Sequence, residues 1–283
     1  MTSEIMRGIT ETHYAELPGV RASTLKAFAR SGLHGAASLL KPHETGTAAM
    51  RLGTALHASI LEPEKFAQRW VEVKGLKPGA VSKTWAKADA DLEADDVYPL
   101  AEGWPEQIRR MAKAVRGHPL AGRLAETMAD RELTVTWDDP ALGVKGKARI
   151  DFTSETKRGL VLGDIKTTRA ESVSDFERDA ARFGYHLQAA WYSRAAMMAG
   201  LCDHEPGFVF VAVTNYEPTD VVVFEACDDF LRQGRVDCER SLARLRAWNE
   251  QSEAHGMASG LVQLDLPKWM KDEAEPVHDW SEA

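Results

Sequence analysis

The stretch that most constrains this chain is Gly146-Lys-Ala-Arg-Ile-Asp151, followed after a polar connection by Gly163-Asp164-Ile165-Lys166. Residues 144–152 and 160–166 read as two strands, and residues 153–159 between them as the joining segment. Side chains two apart on a strand share a face, so Asp164 points with Lys166, and Arg149 with Asp151. A hairpin centred between Lys157 and Arg158 sets Asp151 opposite Asp164. Directly opposed Cβ atoms lie about 4.5–5.5 Å apart, and like charges there are destabilising. A divalent cation offsets that repulsion most simply, and oxygen ligands favour Mg²⁺ or Mn²⁺. Lys166 beside the pair supplies positive charge where a phosphoryl oxyanion or an attacking hydroxide would sit. The competing reading is a surface hairpin with ordinary charges and fortuitous spacing.

Three further positions bear on that choice. Gly53-Thr-Ala-Leu-His57 puts a glycine one turn before a histidine, and glycine inside a helix costs about 1 kcal/mol relative to alanine. Close backbone approach would justify it and let His57 reach the metal; the alternative is a hydrogen-bonded histidine on a buried helix. Gln188 and Tyr192, four apart, share a helix face and can bond to phosphate or to a catalytic carboxylate. A tyrosine packed at a helix–sheet boundary is the plainer explanation. Glu132 opens the preceding strand, as a further ligand or as a solvated strand end.

The surrounding pattern predicts helices over residues 21–40, 48–61 (stopped by Pro63), 106–116 and 120–129, a short strand over 69–73 and a mobile loop over 75–83. A strand over 133–137, a turn over 138–143, a helix over 185–198, strands over 208–213 and 221–224, and a long helix over 228–253 follow. This order gives an α/β fold, a central mixed β-sheet flanked by helices. The expected division is an N-terminal segment (1–20), one folded domain (21–258) and an acidic tail (259–283).

Composition narrows the class. With 44% hydrophobic and 28% charged residues, the chain is neither disordered throughout, nor a coiled coil, nor collagen-like. No apolar run reaches the roughly 18 residues of a membrane span, and the polar start lacks a signal peptide, so a cytoplasmic location is expected. Cys202, Cys227 and Cys238 form no C-x-x-C pair and are read as reduced thiols. The net charge of −8 argues against coating nucleic acid through bulk charge, although the tail holds much of the acid excess. Two tryptophans, Trp269 and Trp280, suit packing or docking of that tail better than plain solvation. There is no G-x-S-x-G and no P-loop.

The ordered set Gly53/His57, Glu132, Asp151, Asp164-Ile-Lys166 and Gln188/Tyr192 resembles the PD-(D/E)XK nucleases of the RecB type. Residues 22–31 (ASTLKAFARS), 53–66 (GTALHASILEPEKF), 111–119 (MAKAVRGHP) and 183–192 (FGYHLQAAWY) look like signatures of the RecE-like (exonuclease VIII) phage and prophage branch. The resemblance covers residues 21–224. Gly32 stands where the family usually has proline. Iron–sulfur relatives use four cysteines, so no cluster is expected here.

The resemblance implies metal-dependent hydrolysis of DNA by the restriction-endonuclease-like core. Asp151 and Asp164 would be the central Mg²⁺ ligands, Mn²⁺ substituting, with the Ile165 carbonyl, His57 and Glu132 as further ligands. Lys166 would activate the attacking water, and Gln188 and Tyr192 would position Lys166 or the scissile phosphate. Lys145, Lys147, Arg149 and Thr167 would contact backbone phosphates. The implied activity is 5′→3′ exonuclease on double-stranded ends, leaving 3′ tails for an annealing protein in recombination, in a bacterial host cell, by a homo-oligomer. The alternatives are a structure-specific or single-strand nuclease, and a non-catalytic DNA-binding protein. The complete Asp/Asp/Lys set argues against the last.

Overall fold

The computed structural model describes residues 2–40, 46–92, 97–139, 143–252 and 254–265. The chain begins with β1 (Ser3–Met6), α1 (Glu11–Glu16), α2 (Ala22–Arg30), α3 (Gly32–Leu40), α4 (Ala48–Leu61), α5 (Pro63–Arg69), β2 (Trp70–Glu72), α6 (Ser82–Asp91), β3 (Tyr98–Leu100), α7 (Trp104–Gly117) and α8 (Pro119–Glu126). Then come β4 (Met128–Asp139), β5 (Val144–Thr156), β6 (Gly159–Thr168), α9 (Val173–Arg182), α10 (Tyr185–Met198), β7 (Gly207–Thr214), β8 (Val221–Glu225) and α11 (Asp228–Gln251).

Six strands form one mixed sheet in the order β1-β4-β5-β6-β7-β8, and β2 pairs with β3 in a small second sheet. The β6–β7 pair is parallel, which requires the crossover that α9 and α10 supply. Apolar side chains leave both sheet faces. Leu133, Val135, Ile150 and Phe208 pack with α2, α10 and α11, whereas Ile165, Val211 and Val213 pack with α4 and α7. The expected α/β architecture is the observed one.

Local chemistry explains where elements differ from the sequence expectation. Residues 21–40 are two helices, because Ser31 adopts an extended backbone after α2 and its hydroxyl accepts from the His34 amide, capping α3. Pro63 does not merely stop α4; it opens α5, where a missing N–H costs nothing. Part of the expected loop over 75–83 already belongs to α6, whose Trp85 and Ala88 are buried. Helix α9 was not foreseen, yet Ser172 caps it by accepting from Asp175 N. Within the expected N-terminal segment, β1 pairs with β4 from Ser3↔Trp137 to Met6↔Thr134. Among the described residues, no helix is long and apolar enough to cross a membrane. Cys202, Cys227 and Cys238 are free thiols. The tail from 266 onward, with Trp269 and Trp280, lies outside the described residues, as do residues 140–142 of the expected 138–143 turn, whose first two residues belong to β4.

The hairpin register is the expected one: Thr156↔Gly159, Glu155↔Leu160 and onward to Phe152↔Gly163. There the ladder ends. At the next position the Asp151 carboxylate accepts the Ile165 backbone N–H at 2.7 Å. Beyond it β5 continues with β4, and β6 with β7, so the sheet forks at the two aspartates.

Gly163 is required at this fork, because a Cβ there would lie 1.8 Å from the Phe152 ring. Gly53 is different. Its Cβ would meet only Thr167 Oγ1, at 3.6 Å, an ordinary contact, so the close approach expected from its place before His57 is not what the structure shows. Gly163→Ala should therefore destabilise the chain by about 1–3 kcal/mol through overpacking, whereas Gly53→Ala should be neutral or stabilising by up to about 1 kcal/mol. Urea unfolding of the two variants checks the contrast; equal midpoints would refute it.

Candidate active site

The fork places three donor groups together. Ligand atoms of His57 on α4, Glu132 on β4 and Asp151 on β5 all lie within 4.8 Å of one another. Glu132 faces Asp151 across β4 and β5, between the pairs Arg131↔Phe152 and Leu133↔Ile150. Its backbone is left-handed, φ 50°, which costs a non-glycine residue on the order of 1–3 kcal/mol. That strain sits at the donor cluster itself.

The His57 ring bridges the fork. Its Nε2 lies 2.6 Å from the Ile165 carbonyl, and a carbonyl can only accept, so the ring proton is on Nε2. Nδ1 then presents a lone pair, 3.3 Å from Asp151 Oδ2. Two acceptors at that distance repel unless a proton or a cation stands between them. Burial lowers His57 below its ordinary value. Burial, and then Asp164, push Asp151 well above the usual carboxylate range. Burial also pushes Glu132 up to about 7, even against the Arg149 guanidinium.

Asp164 stands beside the cluster and outside it. It is 1% exposed; one oxygen is ion-paired with Lys166 and the other accepts from Gln188 Nε2 at 2.5 Å. Burial works against the Lys166 ammonium, but Asp164 and Asp151 outweigh it and raise its pKa. Gln188 is fixed from behind by Lys26 Nζ on α2, which donates to its Oε1 at 2.7 Å. Lys26 and Lys166 both lie over the Tyr185 ring, at 5.2 and 5.0 Å. Gln188 thus holds Asp164 rather than Lys166. Tyr192, mostly buried, lines the cleft beside the donors, its hydroxyl pushed well above its ordinary range by burial.

The expected phosphate contacts fare differently. Lys147 is 4% exposed, and its Nζ donates to the carbonyls of Tyr14, Ala15 and Leu17. An ammonium has three N–H bonds, so none is left for DNA, and the expectation for Lys147 is corrected. Arg149 bonds Glu132 at 2.5 Å and Glu11 at 2.7 Å; it steadies the donor cluster. Lys145 is exposed and 3.7 Å from Asp138, and Thr167 is half-buried beside Gly53. Sequence reasoning missed Glu11 and Tyr14, which come from the remote α1, and it gave no site role to Lys26 and Tyr185, although both lie in signature segments, 22–31 and 183–192.

Residues 22–263 match the model of a family described as "PDDEXK-like domain of unknown function (DUF3799)". The chain belongs to this family. Its fold is similar to that of a solved structure from Eubacterium rectale described as "Putative exonuclease", at TM-score 0.60 and 14% identity over 93% of this chain and 97% of that one. At that identity the likeness is one of fold. A second solved structure, SSO0001, matches at TM-score 0.28 and 14% identity over 76% of this chain and 83% of the other, and carries no argument. No curated protein matches the sequence.

The donors of this PDDEXK-like site fit a divalent cation. They are carboxylate oxygen and an imidazole lone pair, converging where buried acids are held above their ordinary range for want of positive charge. A carboxyl easier to protonate folded than unfolded stabilises the fold at low pH, and that stability is lost as pH rises through its folded pKa. For Glu132 that window runs from its ordinary 4.5 to about 7. The metal-free chain should therefore melt lower as pH climbs through this window. Mn²⁺ should restore more stability at about pH 8 than at about pH 6, with proton release on binding. Thermal melts and calorimetry in two buffers test this; Mn²⁺ affinity independent of pH would contradict it.

Proposed function

We propose that this chain is a divalent-metal-dependent DNA exonuclease of the RecE-like kind, acting 5′→3′ on double-stranded ends and leaving 3′ tails for recombination. The observation that carries the nuclease reading is the forked hairpin. It converges His57, Glu132 and Asp151 and sets the Asp164–Lys166 pair beside them. Family and fold support a nuclease; polarity and the recombination role rest on the motif resemblance. An annealing partner and a homo-oligomeric assembly belong to the same proposal.

His57 Nδ1, Asp151 and Glu132 would hold the metal, with Asp164 adjoining. A bound Mg²⁺ or Mn²⁺ supplies Lewis acidity and a lowered pKa for water. Lys166, kept charged by Asp164 and Asp151, offers a donor to an attacking oxygen or to developing negative charge on the phosphate. Gln188 holds the Asp164 carboxylate in place, and Lys26 holds Gln188. Tyr192 adds a phenol that stays protonated at neutral pH. Lys145 and Thr167 remain candidates for backbone phosphate contacts.

Lys166→Ala should lower turnover by about 10²–10³ while leaving Mn²⁺ binding intact. Asp151→Asn should abolish both. Release of label from 5′- and 3′-labelled linear duplex, with and without Mg²⁺, reads rate and polarity, and calorimetry reads binding. Loss of Mn²⁺ binding in Lys166→Ala as complete as in Asp151→Asn would refute this division of labour. Release from 3′ ends first would refute the polarity.

A further inference from the structure

The cleft that holds the donor cluster, about 290 Å³, has a second wall of a different character. That wall is built by the small β2–β3 sheet and the end of α5, and it presents Trp70, Tyr98, Arg69 and Lys65. Trp70 and Tyr98 are direct neighbours in the parallel register, Trp70↔Tyr98. Their rings lie 4.9 Å apart, and Phe66 stacks behind Trp70 at 6.1 Å and 27°. The result is a row of three rings that ends at the cleft. Trp85, Trp104, Trp137 and Trp191 are buried, whereas Trp70 and Tyr98 keep part of their surface open to the cleft.

One strand explains both walls. Both walls line one cleft, so a nucleotide whose phosphate lies at His57, Glu132 and Asp151 can set its base against the rings. Aromatic rings accept any base by stacking; Arg69 and Lys65, the latter ion-paired with Glu62, line the same cleft. The volume, near the low end of ligand pockets at about 300–1,000 Å³, suits one nucleotide. A base inside a helix has both faces covered and must leave the stack to meet a protein ring, and a terminal base offers one face only along the duplex axis.

Resting on the nuclease reading above, we propose that Trp70 and Tyr98 form a stacking platform for the unpaired base of the strand being cut. The enzyme therefore acts on a strand end separated from its complement, and ends that open easily are its better substrates. Specificity for sequence is not expected, because stacking reads a π-face and no hydrogen-bond pattern.

The test uses the full chain with Mn²⁺ and two duplexes that differ only in having a matched or a mismatched terminal segment. The terminal base is 2-aminopurine, whose emission falls on stacking. The wild type should cleave the mismatched end more efficiently. Trp70→Leu and Tyr98→Leu should raise KM on that end by roughly 5- to 150-fold, with kcat much less affected, and should lose the fluorescence change. Trp70→Phe, which keeps a ring, should retain both, separating stacking from a folding defect. Wild-type KM in both leucine variants, or equal cleavage of matched and mismatched ends by the wild type, would overturn the platform while leaving the nuclease reading standing. No metal-dependent cleavage of any DNA by the wild type would overturn the nuclease reading and the platform with it.

Discussion

When the Asp151 carboxylate takes the Ile165 amide, a side chain does the work of a ladder carbonyl. The hydrogen-bonding need of that amide is met, but β5 and β6 no longer have to stay in register. The space opened between them admits the His57 ring, whose Nε2 satisfies the Ile165 carbonyl. The two polar groups of one residue on β6 are therefore met by Asp151 and His57, the same two side chains that offer ligand atoms. Loss of either would unsettle the fork as well as the donor cluster.

Burying so many acids at one fork is tolerable because each has a specific counterweight. Glu132 has Arg149, Arg149 is shared with Glu11 on α1, and Asp164 has Lys166 and Gln188. Asp151 touches a backbone amide and the His57 ring, and the more distant pull of Lys166 and Arg149 is outweighed by burial and by Asp164. It is therefore the acid most in need of a proton or a cation. The separation of roles follows from these partners. Asp164 is ion-paired with Lys166 and bonded to Gln188, whereas Asp151, Glu132 and His57 bring ligand atoms within 4.8 Å of one another.

Much of this was legible in the sequence for a local reason. Strand alternation and a polar turn fix which residues of a hairpin face each other, so the Asp151/Asp164 opposition follows from short-range rules alone. Helix α10 likewise carries Gln188 and Tyr192 on one face. The same alternation misled at Lys147. It puts residues 145, 147, 149 and 151 on one side of β5, but it says nothing about what covers that side. The N-terminal segment covers it, through the Tyr14, Ala15 and Leu17 carbonyls. Lys26 and the Trp70/Tyr98 pair were illegible for a related reason. Each reaches the site from an element distant in sequence, and local alternation does not say which distant side chains meet there, even for Lys26 within the 22–31 signature.

The N-terminal segment therefore does more than precede the domain. A buried lysine ammonium is costly unless its donors are met, and in Lys147 backbone carbonyls from the end of α1 and the turn after it meet them. Val20 extends the clasp by exchanging backbone hydrogen bonds with Lys145 and Lys147. With α1 pinned to β5 in this way, Glu11 reaches Arg149, Arg149 reaches Glu132, and Tyr14 lines the cleft. The position of the Glu132 carboxylate on β4 is thus set by a helix more than a hundred residues away in sequence, through a chain of two ion pairs that the lysine clasp makes geometrically sound.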